Sequence, residues 1–393
     1  MSMEIRDDAQ NQRKGGLMHV EHFPIIYAGS TKNVREAEKV ERKKPGKHLL
    51  EMRDSTSIDD FGDMGEEWET PGKREAMFRT IVYNFEKVQE RYGRAAVPTA
   101  YLGKFNDNTV IVEGFRVIDP DKGEFPRFRR VRSNAMIPWE VIVRNAVTGT
   151  SSAAKRMKYR ADDKERYHER LHYSRLGLDH KPTKYPIILP MPFIDLSTKQ
   201  RKPHDQYLSP KAMQRYANLE SRVTADICRI AHTVNSFMCE NASNAGFVVL
   251  DFKIELALDE DGQVVVCEMP TFDEMTAAYV GRPSSYIQDI KKLKVFQPGK
   301  EHDLSAFMNV SKQPYRDEGR SHAGWRADLE RAMKEGRPKS EYPRPPSPNE
   351  GFICLMTEMH READKQWRTG ISDLDQVAHK YKRWAAKTYN FSR

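Results

Sequence analysis

Residues 246–268 have the sequence GFVVLDFKIELALDEDGQVVVCE. Alternation within the first apolar run predicts a strand that carries Asp251, Lys253 and Glu255 on one face and apolar side chains on the other. The acidic turn that follows ends in glycine and predicts a hairpin, whose second strand brings Glu268 near Glu255. Carboxylates that converge beside a lysine suit Mg²⁺ and a polyphosphate, while a half-solvated hairpin with surface ion pairs is the alternative.

The composition predicts a soluble, cytoplasmic protein with a sizeable core. The chain has 393 residues, of which 38% are hydrophobic. No apolar run approaches the roughly 20 residues that span a bilayer, and the polar N-terminus lacks the order of a signal peptide, so no membrane association is expected. The four cysteines form no CxxC pair, which favours reduced, mostly buried thiols over a zinc site or disulfides. A net charge of +8 favours anionic partners, and nucleotides explain it as well as nucleic acid does.

A second candidate site lies near the start of the chain. After a polar tail at residues 1–20, a strand is expected at 22–27, followed by Ala28-Gly29-Ser30-Thr31-Lys32. A glycine, two hydroxyls and a lysine can wrap phosphates, although an ordinary hairpin turn has the same pattern. The acidic segment 54–72 indicates a mobile loop that could act as a lid.

Helix and strand patterns follow in alternation. A helix is predicted over 74–92, and its buried face is expected to carry Met77, Ile81, Phe85 and Val88. Strands are predicted at 109–112 and 115–118, and then a basic cluster at 127–132, for which a solvated loop is favoured over a nucleic-acid patch. Further on, a long helix is expected from Pro210 with Ser209 as its N-cap. Its predicted buried stripe is Tyr216, Val223, Ile227, Ile230, Val234 and Phe237.

Residues 138–145 form a predicted strand that ends near Arg144, and a hydroxyl-rich turn follows at 148–152. Arginine with small donors suits a phosphate or a carboxylate. Near the C-terminus, residues 336–348 are rich in proline and charge and indicate a linker. The segments beyond it are expected to form helices that pack back on the body through Ile353, Met356, Met359, Tyr381 and Trp384.

Taken in order, these segments resemble the phosphoribosylaminoimidazole-succinocarboxamide synthetase (SAICAR synthetase) family. The matching segments are Tyr27–Lys32 (YAGSTK), Glu140–Asn145 (EVIVRN) with Gly149, Pro192–Lys199 (PFIDLSTK) with His204 and Asp205, and Gly246–Glu268. Order and spacing agree over roughly residues 22–290, and Lys312–Asp317 (KQPYRD) is similar to a further family segment near the C-terminus.

The resemblance implies an α+β fold of two lobes with antiparallel sheets, a nucleotide site like those of ATP-grasp enzymes and kinases, and additional C-terminal helices. The implied divisions are a tail at 1–20, a nucleotide-binding lobe at 21–132, a substrate lobe at 133–290 and a helical extension at 291–393. The family uses ATP to convert a carboxylate into an acyl phosphate, which the amine of aspartate attacks to form an amide. The implied cofactors are therefore ATP and Mg²⁺, and the implied partners are a carboxylated nucleotide and an amino acid. The oligomeric state is left open, a homo-oligomer included.

The resemblance also assigns candidate roles to individual residues. The catalytic candidates are Lys199, Asp251, Lys253 and Glu268, and the metal ligands are Glu255 and Glu268. The candidates for binding ATP are Gly29, Ser30, Thr31, Lys32, Lys199 and Glu255. The candidates for binding the substrate are Arg144, Gly149, Thr150, Ser151, His204, Asp205 and Asp273. For Lys199 and His204, the residues alone favour a salt-bridging surface loop.

Departures from the family pattern cluster in the same site. Cys267 stands where the family has an aspartate, and a thiol is a poor ligand for Mg²⁺. Either Glu268 or Asp273 is then expected to replace the missing carboxylate, or metal-dependent turnover is impaired. Ser30 stands in place of a lysine, and Met275 or Thr276 lies where the family has an arginine that faces the substrate.

Three hypotheses follow from these observations. The first is an ATP-dependent ligase, either the purine-pathway enzyme or a relative with an altered substrate. The second is a catalytically impaired nucleotide-binding or regulatory protein of the same fold. The third, a nucleic-acid-associated protein, is favoured only by the basic balance and the cluster at 127–132.

Overall fold

The structure is a computed structural model of the chain. It describes residues 19–41, 44–58, 62–118, 133–149, 151–158, 171–183, 185–198, 207–279, 328–329, 331–332, 335–343 and 347–389. Two antiparallel sheets, a hairpin and several helices make up this part of the chain, so the predicted α+β class is confirmed.

The first sheet contains five strands near the N-terminus. They are β1 (Ile25–Ala28), β2 (Lys32–Glu38), β3 (Gly46–Met52), β6 (Tyr101–Lys104) and β7 (Thr109–Gly114), in the spatial order β1-β2-β3-β7-β6. A small hairpin of β4 (Ser57–Ile58) and β5 (Gly62–Asp63) lies outside it. A 3₁₀ turn at Val20–His22 precedes β1, so the strand begins later than its sequence predicts.

The larger sheet has six strands and is built around the segment quoted first. Its members are β8 (Ala135–Val147), β9 (Ile187–Thr198), β10 (Tyr207–Leu208), β11 (Phe247–Leu258), β12 (Val264–Glu268) and β13 (Met275–Tyr279). The order is β10-β9-β8-β11-β12, and β13 pairs with the other half of β11. The predicted hairpin is confirmed, because β11 and β12 are antiparallel and Gly262 adopts φ 74° in the turn.

Main-chain hydrogen bonds join the two sheets. The N–H of Val266 in β12 donates to the Pro98 carbonyl at 2.8 Å, and the N–H of Ala100 donates to the Val266 carbonyl at 2.9 Å. The segment 98–100 leads directly into β6. The edge of the larger sheet therefore has a fixed position relative to the smaller one.

Helix α1 (Lys73–Ala96) begins one residue before the predicted helix, and its helical backbone is interrupted at Gly93 (φ 73°), directly after the predicted end at Tyr92. Its predicted apolar face is confirmed, because Met77, Ile81, Phe85 and Val88 are at most 2% exposed. Four helices come later: α2 (Ser152–Met157), α3 (Pro210–Ala217), α4 (Ser221–Asn244) and α5 (Glu350–Thr369). A sixth, α6 (Leu374–Tyr389), ends the described chain.

The prediction of one long helix from Pro210 is wrong, because Asn218 adopts φ 50° and separates α3 from α4. Ser209 caps α3 as predicted, since its side chain accepts a hydrogen bond from the Ala212 N–H. The stripe from Val223 to Phe237 is buried. The side chain of Tyr216 lies outside the described part.

Two loop predictions also need correction. The segment 54–72 is not a loose lid in its described part, because Trp68 is fully buried and the Thr70 N–H donates to the Asp54 carbonyl at 2.9 Å. Residues 115–118 form no strand. Arg116 makes a single bridge to Ala135, with main-chain hydrogen bonds to Asn134 and Met136 at the start of β8.

The C-terminal helices pack on the body as predicted. Met356 and Met359 of α5 are fully buried, and Tyr381 of α6 is 4% exposed. Trp367 of α5 contacts Phe247 and Phe272, with ring centroids 5.8 Å and 5.7 Å apart. Helix α5 thereby completes the apolar core that covers one face of the larger sheet.

No helix in the described ranges has the length and apolarity needed to cross a membrane. All four cysteines are free thiols. Cys267 is buried, Cys228 and Cys239 are half-buried, and Cys354 is exposed, so burial of the thiols is less complete than predicted.

Candidate functional site

A tight turn between β1 and β2 brings together Gly29, Ser30, Thr31 and Lys32. We call these four residues the glycine turn. The Gly29 N–H donates to the Lys32 carbonyl at 2.9 Å and closes the turn. A Cβ at position 29 would lie 2.7 Å from the same carbonyl oxygen, so the turn requires glycine.

Lys32 links the two sheets through its side chain. Its ammonium contacts Glu268 at the end of β12, and it lies 3.1 Å from Glu274 in the loop that follows. The lysine is 8% exposed, and both carboxylate side chains are at most 16% exposed. The two segments singled out by the sequence therefore meet at one largely buried cluster of charges.

Burial and the surrounding charges shift the pKa values in this cluster. Burial acts to lower the pKa of Lys32, but Glu268 and Glu274 outweigh it and raise that pKa above its usual range. Burial raises the pKa of Glu268 to about 7; Lys32 opposes the shift, whereas Glu255 and Glu274 add to it. The lysine is therefore firmly protonated, while the carboxylates beside it compete for one counter-charge.

Strand β11 has one polar and one apolar face, as the sequence predicts. The residues at 251, 253 and 255 are half-buried, and those between them are buried. Register pairs Glu255 with Glu268 on one side and with Glu140 of β8 on the other. The Lys253 ammonium lies 2.9 Å from a Glu140 carboxylate oxygen. Glu268, Glu255 and Glu140 thus form one row across three strands, and Lys253 contacts the Glu140 end of that row.

Arg144 lies inside β8 and is 3% exposed. Its guanidinium lies 3.2 Å from Asp195 and 3.4 Å from Asp251, and it donates to the Ser152 hydroxyl at 2.8 Å. Burial alone would lower the pKa of Arg144, but Asp195 and Asp251 raise it. The arginine is thus oriented toward the start of α2 by two carboxylates and a hydroxyl.

Sequence reasoning missed several members of these clusters. Asp195 of β9 accepts from Arg144 and also from Arg156, at 2.8 Å and 2.9 Å for its two oxygens. The sequence did contain a signal for Asp195, because an aspartate within an apolar strand requires a cation beside it when it is buried. Glu140 and Glu274 were missed because each gains its partner only across the tertiary fold.

The hydroxyl-rich turn beside Arg144 has a definite local structure. Ser151 is the N-cap of α2, accepting from the Ala154 N–H at 3.2 Å and donating to the Thr148 carbonyl at 2.8 Å. Gly149 packs against Tyr185, since a Cβ there would lie 3.5 Å from the tyrosine side chain. Thr150, Lys199, His204 and Asp205 lie outside the described residues, as does the basic cluster at 127–132.

Known proteins share sequence patterns and fold with this chain. The sequence model of the SAICAR synthetase family matches residues 25–276, which is more than half of the chain. The chain belongs to the SAICAR synthetase family.

A putative phosphoribosylaminoimidazole-succinocarboxamide synthase of Archaeoglobus fulgidus is 28% identical, over 61% of this chain and 71% of its own. The synthase of Sulfolobus acidocaldarius is 26% identical, over 64% of this chain and 82% of its own. A solved structure, the Saccharomyces cerevisiae SAICAR synthase complexed with SAICAR, superposes with a TM-score of 0.57 at 16% identity. That superposition covers 91% of this chain and 98% of the yeast chain, and it supports the fold.

Against the SAICAR synthetase pattern, the most marked change is Cys267. The β11–β12 register steps from Glu255–Glu268 to Leu256–Val266, so Cys267 is the extra residue of a bulge. Its side chain is 8% exposed and belongs to the apolar core. Glu255 and Glu268 are the carboxylates that pair across the strands at this bulge.

Asp273, the other proposed substitute for the SAICAR synthetase aspartate, is 3% exposed. Its carboxylate lies 2.8 Å from the ammonium of Lys73, the first residue of α1, which is 1% exposed. This ion pair joins α1 to the loop between β12 and β13, so we treat Asp273 as a structural residue and do not include it in the proposed substrate site.

The donor set fits Mg²⁺ only in part. No group of three or more His, Cys, Asp or Glu side chains among the described residues is arranged to hold a metal ion. Mg²⁺ is usually bound by one or two carboxylates together with substrate phosphates. Glu255 and Glu268, cross-strand neighbours beside Lys32, meet that smaller requirement.

Proposed function

We propose that the protein is an ATP-dependent carbon–nitrogen ligase. It joins an amino acid, with aspartate expected, to a carboxylated nucleotide such as carboxyaminoimidazole ribonucleotide. Membership of the SAICAR synthetase family supports this class of reaction. The departures around Cys267 leave room for a different carboxylated substrate within the same chemistry.

One observation carries the proposal. The family match covers both the glycine turn and the β11–β12 hairpin, which are more than 200 residues apart in sequence. In the fold these segments meet, because Lys32 contacts Glu268 and Glu274. A cation and carboxylates at the junction of two sheets supply both kinds of group that a nucleotide polyphosphate requires.

The described residues have distinct proposed roles. Lys32 and the glycine turn contact the ATP phosphates, and Glu255 and Glu268 hold Mg²⁺, which when bound screens the negative charge of the polyphosphate. Arg144 and Ser151 orient the carboxylated substrate. Asp251 and Lys253 are residues of β11, and they lie between Arg144 of the substrate group and Glu255 of the Mg²⁺ group. The roles of Thr150, Lys199, His204 and Asp205 stay predictions.

The proposed reaction has two steps. A carboxylate oxygen of the substrate attacks the γ-phosphorus of ATP, which releases ADP and leaves an acyl phosphate. The amine then attacks the acyl carbon, phosphate leaves, and the nitrogen loses a proton as the amide forms. Positioning and charge stabilisation account for most of the rate in such transfers, and the protein supplies both through fixed side chains.

The test measures the release of ADP from ATP by the purified protein. The protein is first supplied with Mg²⁺, aspartate and carboxyaminoimidazole ribonucleotide, and then with a panel of other carboxylated nucleotides and amines. The expected result is ADP release that depends on both co-substrates. Lys32→Met is expected to abolish it. Lys47→Met, which removes an exposed lysine of the same sheet, should not. No ADP release with any pair would contradict the proposal.

A second candidate is a nucleotide-binding protein with impaired catalysis. Cys267 favours it, because a thiol replaces a carboxylate next to Glu268. This candidate predicts ATP binding by calorimetry without ADP release on any pair. Turnover by the unaltered protein would eliminate it.

A further inference from the structure

Lys73 is a buried cation that the proposed chemistry does not use. It is the first residue of α1 and is 1% exposed. A buried ammonium is costly unless paired and hydrogen-bonded. Its ammonium lies 2.8 Å from the Asp273 carboxylate and donates to the Ser55 carbonyl at 2.8 Å. The lysine thus joins two segments that are distant in sequence.

The Ser55 side leads to the glycine turn. The Ser55 hydroxyl donates to the Ser30 carbonyl, and Ser55 itself is 1% exposed. Two residues earlier, the Arg53 N–H donates to the Thr31 carbonyl and its guanidinium donates to the Gly29 carbonyl, both at 2.9 Å. Segment 53–55 therefore holds three successive carbonyls of the turn.

The Asp273 side leads to residues 269–274, which we call the acidic loop. Glu274 of this loop contacts Lys32 at 3.1 Å and accepts from the Thr271 N–H at 3.0 Å. A second residue of α1, Asn84, donates to the Pro270 carbonyl at 2.8 Å. One helix therefore holds the acidic loop at two points.

The C-terminal extension buttresses the same helix. The Trp367 indole N–H donates to the Asn84 side-chain oxygen at 2.9 Å, and Asp364 accepts from Arg79 at 2.7 Å. These contacts orient α1, but Asp364 reaches neither the glycine turn nor segment 53–55 in the contacts described. It therefore offers a control at the same helix interface.

We propose that Lys73 is a positioning residue that holds the glycine turn and the acidic loop in one fixed geometry, so that Lys32, Glu268 and Glu274 are already in place when the ATP phosphates arrive. Groups pre-set by a buried supporting shell lose little freedom on binding, which is how such a residue raises affinity. The inference rests on the proposed function for the identity of the ligand. The coupling between the two segments does not depend on it.

Amide hydrogen exchange tests the coupling without any ligand. In Lys73→Met, we expect faster exchange in residues 28–32 and 269–275 together, with little change in α4. In Ser55→Ala, a milder change, we expect faster exchange in the glycine turn alone. Asp364→Asn should lower overall stability without selectively accelerating exchange in either segment. Unchanged exchange in one of the two segments of Lys73→Met would overturn the proposal.

ATP affinity tests the functional consequence. The dissociation constant of Mg-ATP is expected to rise at least about tenfold in Lys73→Met, to recover in part in Lys73→Arg, and to stay near the wild-type value in Asp364→Asn. Wild-type affinity in a folded Lys73→Met protein would refute the positioning role and leave the proposed function intact. If the unaltered protein binds no ATP, the proposed function fails, and the exchange data still decide the role of Lys73. Should Lys73→Met not fold, Lys73→Arg gives the same two readouts, and Ser55→Ala tests the contact to the glycine turn.

Discussion

Restoring the family aspartate by Cys267→Asp is expected to destabilise the protein in the absence of metal. The side chain at this position is 8% exposed, and the bulge places it beside Glu268 and opposite Glu255. Glu268 provides an internal measure of what this environment does to a carboxylate. Its pKa rises from 4.5 to about 7 even with Lys32 in contact, which corresponds to about 3 kcal/mol at 1.36 kcal/mol per unit. An aspartate whose carboxylate replaces the Cys267 thiol in the apolar core should cost about 3 kcal/mol or more.

Urea unfolding at pH 7 measures this loss in the free energy of unfolding. The control is Cys267→Asn, because asparagine has the shape of aspartate without its charge. The pKa of the introduced carboxyl is raised in the folded state, so its penalty is present at pH 7 and disappears as the pH falls toward about 4. Because Mg²⁺ prefers oxygen ligands, added Mg²⁺ should recover more stability in Cys267→Asp than in Cys267→Asn. Equal stability of the two variants at pH 7 without Mg²⁺ would show that position 267 does not penalise a buried charge, which would contradict the prediction.

Three further predictions follow from described contacts. Asp195→Asn should cost about 3–5 kcal/mol in urea unfolding, because Arg144 and Arg156 lose their shared carboxylate, whereas Asp226→Asn at a surface pair should cost less than about 1 kcal/mol. Gly29→Ala should cost about 1–3 kcal/mol and weaken ATP binding in calorimetry, since its Cβ would press on the Lys32 carbonyl; unchanged affinity would contradict a role for the turn. His48→Gln tests a pH dependence of stability. Burial lowers the pKa of His48 to about 4 in the folded protein, below the 6.5 of the unfolded chain. The unfolded state therefore binds the proton first as the pH drops below 6.5, and the free energy of unfolding falls by about 2 kcal/mol at pH 5. His48→Gln should remove that part of the slope in unfolding curves recorded at pH 7 and pH 5.

Local patterns predicted much of the fold. The period-two run at 251–256 predicted β11 with the correct face, and the acidic turn at 259–262 predicted its hairpin partner. The same kind of reasoning failed at Asn218, because asparagine tolerates a left-handed conformation and the apolar stripe continues on both sides of the break. It also failed at Trp68, whose burial depends on Phe352 of α5, a contact that no local pattern contains.

The site was predicted less completely than the fold. Alternation and turn chemistry identified Lys32, Glu255 and Glu268, because each lies in a short segment with its own signal. Lys73 and Glu274 gave no signal of this kind, since the opposite charges that they contact, on Asp273 and Lys32, are about 200 or more residues away in sequence. Interactions of that range arise from tertiary packing, which sequence periodicity does not encode.

The contact of Trp367 with Phe247 and Phe272 has a consequence for how the chain folds during synthesis. The two phenylalanines leave the ribosome some 95 to 120 residues before the indole that covers them. At about 5–20 residues per second, the larger sheet waits roughly 5–25 s with this aromatic patch open to other nascent chains. A chain that ends before α5 keeps the patch open permanently, so truncation at the end of the family-matched region should give protein that aggregates on synthesis.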